Sequence, residues 1–159
     1  MAEQKTVNYG VVDTDVLKSV SGLEFLQGII SGRFPQPPIG ERMNMRLAEV
    51  ERGRAVFEAM PGLEVYNPLG TVHGGFAATI MDSCMACSVQ SMLEVGFGYT
   101  TIEFKITFIR PVTEQTGLVR GVGEVVNVGR RLGVAEGRLL DANGKVLAHA
   151  TTSCMIFPL

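Results

Sequence analysis

From Gly74 to Leu93 the chain is apolar on almost every side: Phe76, Ala77, Ile80, Met81, Cys84, Met85 and Val89 leave no broad polar face, and Asp82 is the only charge. The pattern predicts one long helix that must be covered all round, which a sheet curling about it can do. The segments after it change period. Thr101 to Ile109 alternates, with Ile102, Phe104, Ile106 and Phe108 on one face and Thr101, Glu103, Lys105 and Thr107 on the other, which predicts a strand. Gly117–Val126 and Leu132–Leu140 predict two more, joined by a turn at Asn127-Val128-Gly129. Gly121 and Gly123 on one, and Gly133, Ala135 and Gly137 on the other, form small faces where a neighbour can approach closely. Asp141-Ala142-Asn143-Gly144 is a hairpin signal, and Lys145–Phe157 is the last strand. Before the helix, alternating residues on either side of Arg52-Gly53 predict a hairpin between Ile39 and Met60, and Leu63–Val72 is a loop leading to the helix start.

Ahead of this lies a leader. Residues 1–12 read as frayed or loosely docked. Val16, Leu17, Val20, Leu23, Leu26, Ile29 and Ile30 predict one or two short amphipathic helices, broken near Ser21-Gly22 and ended by Gly32. Arg33-Phe34-Pro35-Gln36-Pro37-Pro38 predicts an extended connector. The leader either packs on the domain's flank or lids an apolar ligand's tail. The chain therefore divides into a leader, 1–38, and one α+β domain, 39–159, in which a curved antiparallel sheet wraps a central helix.

Composition narrows the function. The 159 residues are 46% hydrophobic and 19% charged with a net charge of -2, enough for one full core and unsuited to nucleic acid or an anionic membrane. Asp82, Ser83, Ser88, Gln90 and Ser91 interrupt the helical run, which argues against a bilayer span. Cys84, Cys87 and Cys154 make a sparse, odd set of thiols, and Met1–Lys5 lacks the features of a signal peptide, so a cytoplasmic protein is expected. Cys84 and Cys87, three apart in an apolar run, read as core residues, and two histidines are too few for an ordinary zinc site; no metal is expected.

Chemistry concentrates around Asn67-Pro68-Leu69-Gly70-Thr71-Val72-His73-Gly74-Gly75. The two glycines leave the first N–H groups of the helix open to a ligand, at the positive end of the helix dipole, a setting that stabilises an oxygen gaining negative charge. Asp82 follows Gly74 by eight residues, which at about 1.5 Å per residue is roughly 12 Å along the helix. The two cannot act on one carbon atom within one chain. Either Asp82 is structural, or a second copy supplies it to the first copy's helix mouth, which makes the protein a homodimer at least.

These residues, with Thr101-Ile102-Glu103-Phe104 and Asp141-x-x-Gly144-Lys145-Val146-Leu147-Ala148, resemble the hot-dog-fold acyl-CoA thioesterases, most nearly the phenylacetic acid degradation (PaaI-like) group, over roughly Gly22–Phe157 including a Pro37-Pro38-Ile39 approach to the first strand. The resemblance implies a hot-dog fold, dimers that pair into homotetramers, and hydrolysis of coenzyme A thioesters with no cofactor beyond the substrate's own coenzyme A. It implies Asp82 as general base or nucleophile, the Gly74 N–H as donor to the thioester carbonyl, and His73 and Asn67 beside the thioester or the attacking water. Thr101 falls where the family places a Ser or Thr near that water.

Alternatives stay open at several positions. His73 is a catalytic or orienting residue or a loop histidine bonded to backbone; Asn67 contacts substrate or shapes the turn before Pro68. Gly75, Arg110 and the pair Arg130-Arg131 are candidates for gripping the substrate, the arginines through the nucleotide phosphates; Arg130-Arg131 equally suits a solvated hairpin. His149 reads as structural. The competing functions are a hot-dog hydratase or dehydratase, for which Arg33-Phe34-Pro35 lacks a histidine, and a non-catalytic acyl-CoA binding module.

Overall fold

The computed structural model describes residues 7–159; Met1–Lys5, read above for a targeting signal, and Thr6 lie outside them. Three short helices come first: α1 (Thr14–Ser19), α2 (Gly22–Ser31) and α3 (Pro38–Arg42). Asp13 caps α1 by accepting the Asp15 N–H at 2.8 Å, and Ser21 caps α2 by accepting that of Glu24 at 3.3 Å. Gly32 ends α2 at φ 82°, its N–H on the Ile29 carbonyl. The connector bends at Arg33-Phe34, where the Phe34 N–H returns to the Gly28 carbonyl at 3.0 Å, and is extended at Pro37, but Pro38 opens a helical turn and does not lead straight into a strand. A proline at the first helical position loses no hydrogen bond and already holds the required φ. Asn8–Gly10 are tied down as well: Gln36 N–H donates to the Asn8 carbonyl at 2.8 Å and Gly10 N–H to that of Gln36 at 3.0 Å.

The sheet has six strands: β1 (Met45–Glu51), β2 (Arg54–Ala59), β3 (Phe97–Phe108), β4 (Val119–Val128), β5 (Leu132–Leu140) and β6 (Val146–Pro158). They are ordered β1-β2-β4-β5-β6-β3 with every pair antiparallel. The long helix, α4 (Gly74–Gln90), lies in the sheet's concave face. Phe76, Ile80, Met81, Cys84, Met85 and Val89 are all at most 2% exposed, which is how a helix without a polar face is accommodated. The small faces of β4 and β5 permit this closeness. A Cβ on Gly123 would stand 2.3 Å from the Cys84 carbonyl oxygen, and one on Gly137 2.8 Å from Met85 Cγ. The chain thus has the α+β architecture expected: a curved antiparallel sheet around one central helix.

β3 departs from its expected phase. Thr101 pairs with Cys154 and Glu103 with Ser153, so Ile102 is an extra residue in a bulge. Ile102 is consequently 54% exposed, while Thr101 upstream and Phe104 and Ile106 downstream turn inward. β3 also ends the sheet; its free edge is paired with nothing among the described residues.

Candidate active site

The loop before α4 is built by Asn67. Its Oδ1 accepts the Leu69 N–H at 2.8 Å and the Thr71 N–H at 3.4 Å, while its Nδ2 donates to Thr71 Oγ1 at 2.9 Å. Asn67 therefore shapes the turn and, in this structure, spends its amide there. His73 follows as the N-cap, at φ −61° and ψ 138°. Its N–H donates to the Val65 carbonyl, and its Nδ1 accepts the Gly75 N–H at 2.8 Å. Accepting at Nδ1 assigns the proton of the neutral ring to Nε2, on an exposed side chain. Gly75 thus has its N–H engaged, whereas the Gly74 N–H donates to nothing among the described residues. That donor opens at the positive end of a 17-residue helix. The Phe108 ring covers it on one side: a Cβ on Gly74 would lie 3.0 Å from Phe108 Cζ.

Two turns further along, Asp82 is half-buried and its Oδ1 accepts the Thr101 hydroxyl at 2.9 Å. The bulge at Ile102 is what aims Thr101 at this carboxylate. Cys154 Sγ stands 4.0 Å from the same hydroxyl. Burial pushes the Cys87 thiol up to about 12 and raises Tyr99, Cys84 and Cys154 above their ordinary values as well. These neighbours stay neutral at physiological pH and place no competing charge beside Asp82. A cavity of about 640 Å³ opens from Asp82 and Thr101 and is walled by Tyr99, Cys87 and the leader residues Leu17 and Phe25. Tyr99 escaped the sequence reading, because nothing local in its spacing reports which cavity it encloses, whereas the leader lies over this cavity, as one of its two sequence readings had it.

The arginines fall at opposite ends. Arg110 follows Phe108 at the helix mouth and donates from Nη1 to the Val146 carbonyl. Arg130 and Arg131 are exposed in the turn before β5, where Leu132 faces Met155 and Met155 faces Thr100, at the Asp82 end of β3. His149 sits away from both, its Nε2 3.9 Å from Glu136 Oε2 on the outer face. Among the described residues no three His, Cys, Asp or Glu side chains group closely enough to hold a metal, and no helix is long and apolar enough to cross a membrane. The structure thus gathers two separate clusters: Asp82 with Thr101, and Gly74 with His73, Phe108 and Arg110.

Comparison with known proteins bears on the family and the fold. The chain is 23% identical over 107 residues, 67% of its length and 85% of the relative's, to a 1,4-dihydroxy-2-naphthoyl-CoA hydrolase of Listeria monocytogenes. A phenylacetic acid degradation-related protein of Ralstonia eutropha superposes with a TM-score of 0.75 at 27% identity, covering 82% of this chain and 98% of the other. The PaaI protein of E. coli, from the phenylacetic acid degradation operon, superposes with a TM-score of 0.74 over 86% of this chain and 96% of its own; at 17% identity it speaks to the fold alone. The model of the thioesterase superfamily matches residues 69–148, the loop, α4 and most of the sheet. With its central helix wrapped by an antiparallel sheet and half its length matched by that model, the chain belongs to the thioesterase superfamily, as a thioester hydrolase of hot-dog fold.

Proposed function

We propose that the protein is an acyl-CoA thioesterase whose active site is completed across a homodimer, with dimers pairing further into tetramers as the family resemblance implies. One observation carries this reading: the two clusters lie at opposite ends of β3, whose free edge is 12 residues long and bears exposed Ile102 and Phe108. An unpaired edge of that length, which also exposes Glu103 and Lys105, is a template for another strand. A two-fold axis between Phe104 and Lys105, midway along the stretch from Thr101 to Phe108, sets Thr101 of one protomer opposite the partner's Phe108. Asp82 then faces the free Gly74 N–H of the other helix, and the isologous contact makes two such sites.

The thioester carbonyl accepts from the Gly74 N–H, so that negative charge developing on oxygen is met by a fixed donor and the helix dipole. Asp82, held by the Thr101 hydroxyl, takes the proton of the attacking water, or attacks the carbonyl itself. In both routes the tetrahedral centre collapses by expelling the coenzyme A thiolate; in the second, water then hydrolyses the acyl–Asp82 anhydride to release the acid and restore the carboxylate. His73 Nε2–H donates at the rim, and Arg110 with the opposing protomer's Arg130-Arg131 lies where the nucleotide phosphates leave the site. Turnover of a panel of acyl- and aryl-CoA esters, followed by thiol release, tests this. Hydrolysis abolished in Asp82→Asn supports the reading; full activity in that variant removes Asp82 from the mechanism, and tight binding of every ester without turnover makes the protein a binding module.

A further inference from the structure

The leader is latched to the rest of the molecule at two points, Gly22 and Gln36. At its near end the Gly22 N–H donates to the Leu93 carbonyl at 3.0 Å, and the approach is so close that a Cβ on Gly22 would stand 1.8 Å from the Gln90 carbonyl oxygen. At its far end the buried Gln36 side chain takes both backbone groups of Leu47, accepting the N–H at 3.0 Å and donating to the carbonyl at 3.3 Å. Between these latches Phe25 stacks against Phe34, ring centroids 5.3 Å apart. The inner surface of this strap is apolar and roofs the cavity that begins at Asp82 and Thr101. The floor is one stripe of α4, Asp82, Ala86 and Gln90, at i, i+4 and i+8, a run of roughly 12 Å.

We infer that this leader-roofed cavity is the acyl pocket, that it takes the apolar tail of an aryl or medium-chain thioester, and that Leu17 and its leader neighbours set the tail length accepted. The inference rests on the thioesterase reading, because a carbonyl carbon attacked at Asp82 leaves its tail facing this cavity, while the coenzyme A arm leaves toward the arginines. A volume of about 640 Å³ falls within the roughly 300–1,000 Å³ of ordinary small-molecule pockets, far more than an acetyl group fills.

Leu17, half-buried on α1, permits opposed substitutions with little risk to folding. In the full-length protein, kcat/KM is measured for acetyl-, hexanoyl-, decanoyl- and phenylacetyl-CoA. Leu17→Phe is expected to lower the ratio of the decanoyl to the acetyl value about tenfold or more, and Leu17→Ala to raise it, as expected when methylenes are gained or lost in an apolar pocket. Calorimetric binding of decanoyl-CoA and of free decanoate to the Asp82→Asn protein separates the two readings. Turnover with a tail profile that neither variant changes, or that both scale equally for all substrates, overturns the pocket and leaves the thioesterase standing; it is also the result expected if a second protomer fills the cavity. Tail-dependent binding that Leu17→Phe weakens, without turnover of any ester, supports the pocket and overturns the thioesterase.

Discussion

If the site is shared across two chains, two dead enzymes should make one live one. Gly74→Pro removes the one backbone donor in question with little disturbance. Gly74 is the first residue of α4, where a proline is at home, and His73 at φ −61° and ψ 138° already occupies the extended region that a residue before proline prefers. The nearest neighbour of the new Cβ is the end of the Phe108 side chain, which is 55% exposed and free to shift. Loss of one such donor lowers kcat by about 10²–10³, while thermal unfolding should stay close to that of the wild type. Asp82→Asn keeps an acceptor for the Thr101 hydroxyl and removes the base. Co-expression under two different tags, with sequential affinity purification, yields the mixed dimer. One of its sites then lacks both groups and the other lacks neither, so it should show about half the wild-type activity per dimer, as two-fold symmetry requires. Activity as low as that of the two parents would refute the shared site and with it the placement of the two-fold axis along β3.

Other consequences follow from packing and burial. Gly123→Ala places a methyl against the backbone of α4, where nothing can yield, and should cost about 1–3 kcal/mol or more in urea unfolding. Gln36→Leu leaves the buried Leu47 N–H and carbonyl unpaired, each costing about 1–3 kcal/mol, and limited proteolysis should then cut the leader first. Burial raises Cys87 from 9.0 to about 12, so the unfolded thiol ionises before the folded one. Its contribution is intact below pH 9 and is lost as pH climbs toward 12; Cys87→Ala should flatten that alkaline decline in stability.

Much of this architecture was legible because it follows from local pattern. A helix without a polar side had to be enclosed, and glycines at alternate positions of Gly117–Val126 and Leu132–Leu140 marked where the enclosing strands come close. The short helices of the leader were announced by their caps at Ser21 and Gly32. The helix at Pro38–Arg42 was not, since a proline cluster signals an extended chain as readily as a helix start. Alternation alone also placed Ile102 with Phe104 and Ile106, because a single bulged residue reverses the phase without leaving a mark in the polarity pattern. Asn67 carried a family motif, yet its side chain is taken up by its own loop. A lid over a ligand's tail was one reading of the leader, but the cavity itself lay beyond sequence reasoning, as its walls come from segments as distant as Gly10 and Leu159 that share no periodicity.

The bulge at Ile102 has a mechanical meaning for the whole strand. On one side of it the backbone answers to the Asp82 carboxylate through Thr101; on the other it answers to the interior through Phe104 and Ile106. An unbroken ribbon would force both tasks into one register, so that any adjustment at the reactive end would twist the interior out of alignment. One surplus residue uncouples them, leaving the molecule able to retune its chemistry while its foundations stay put.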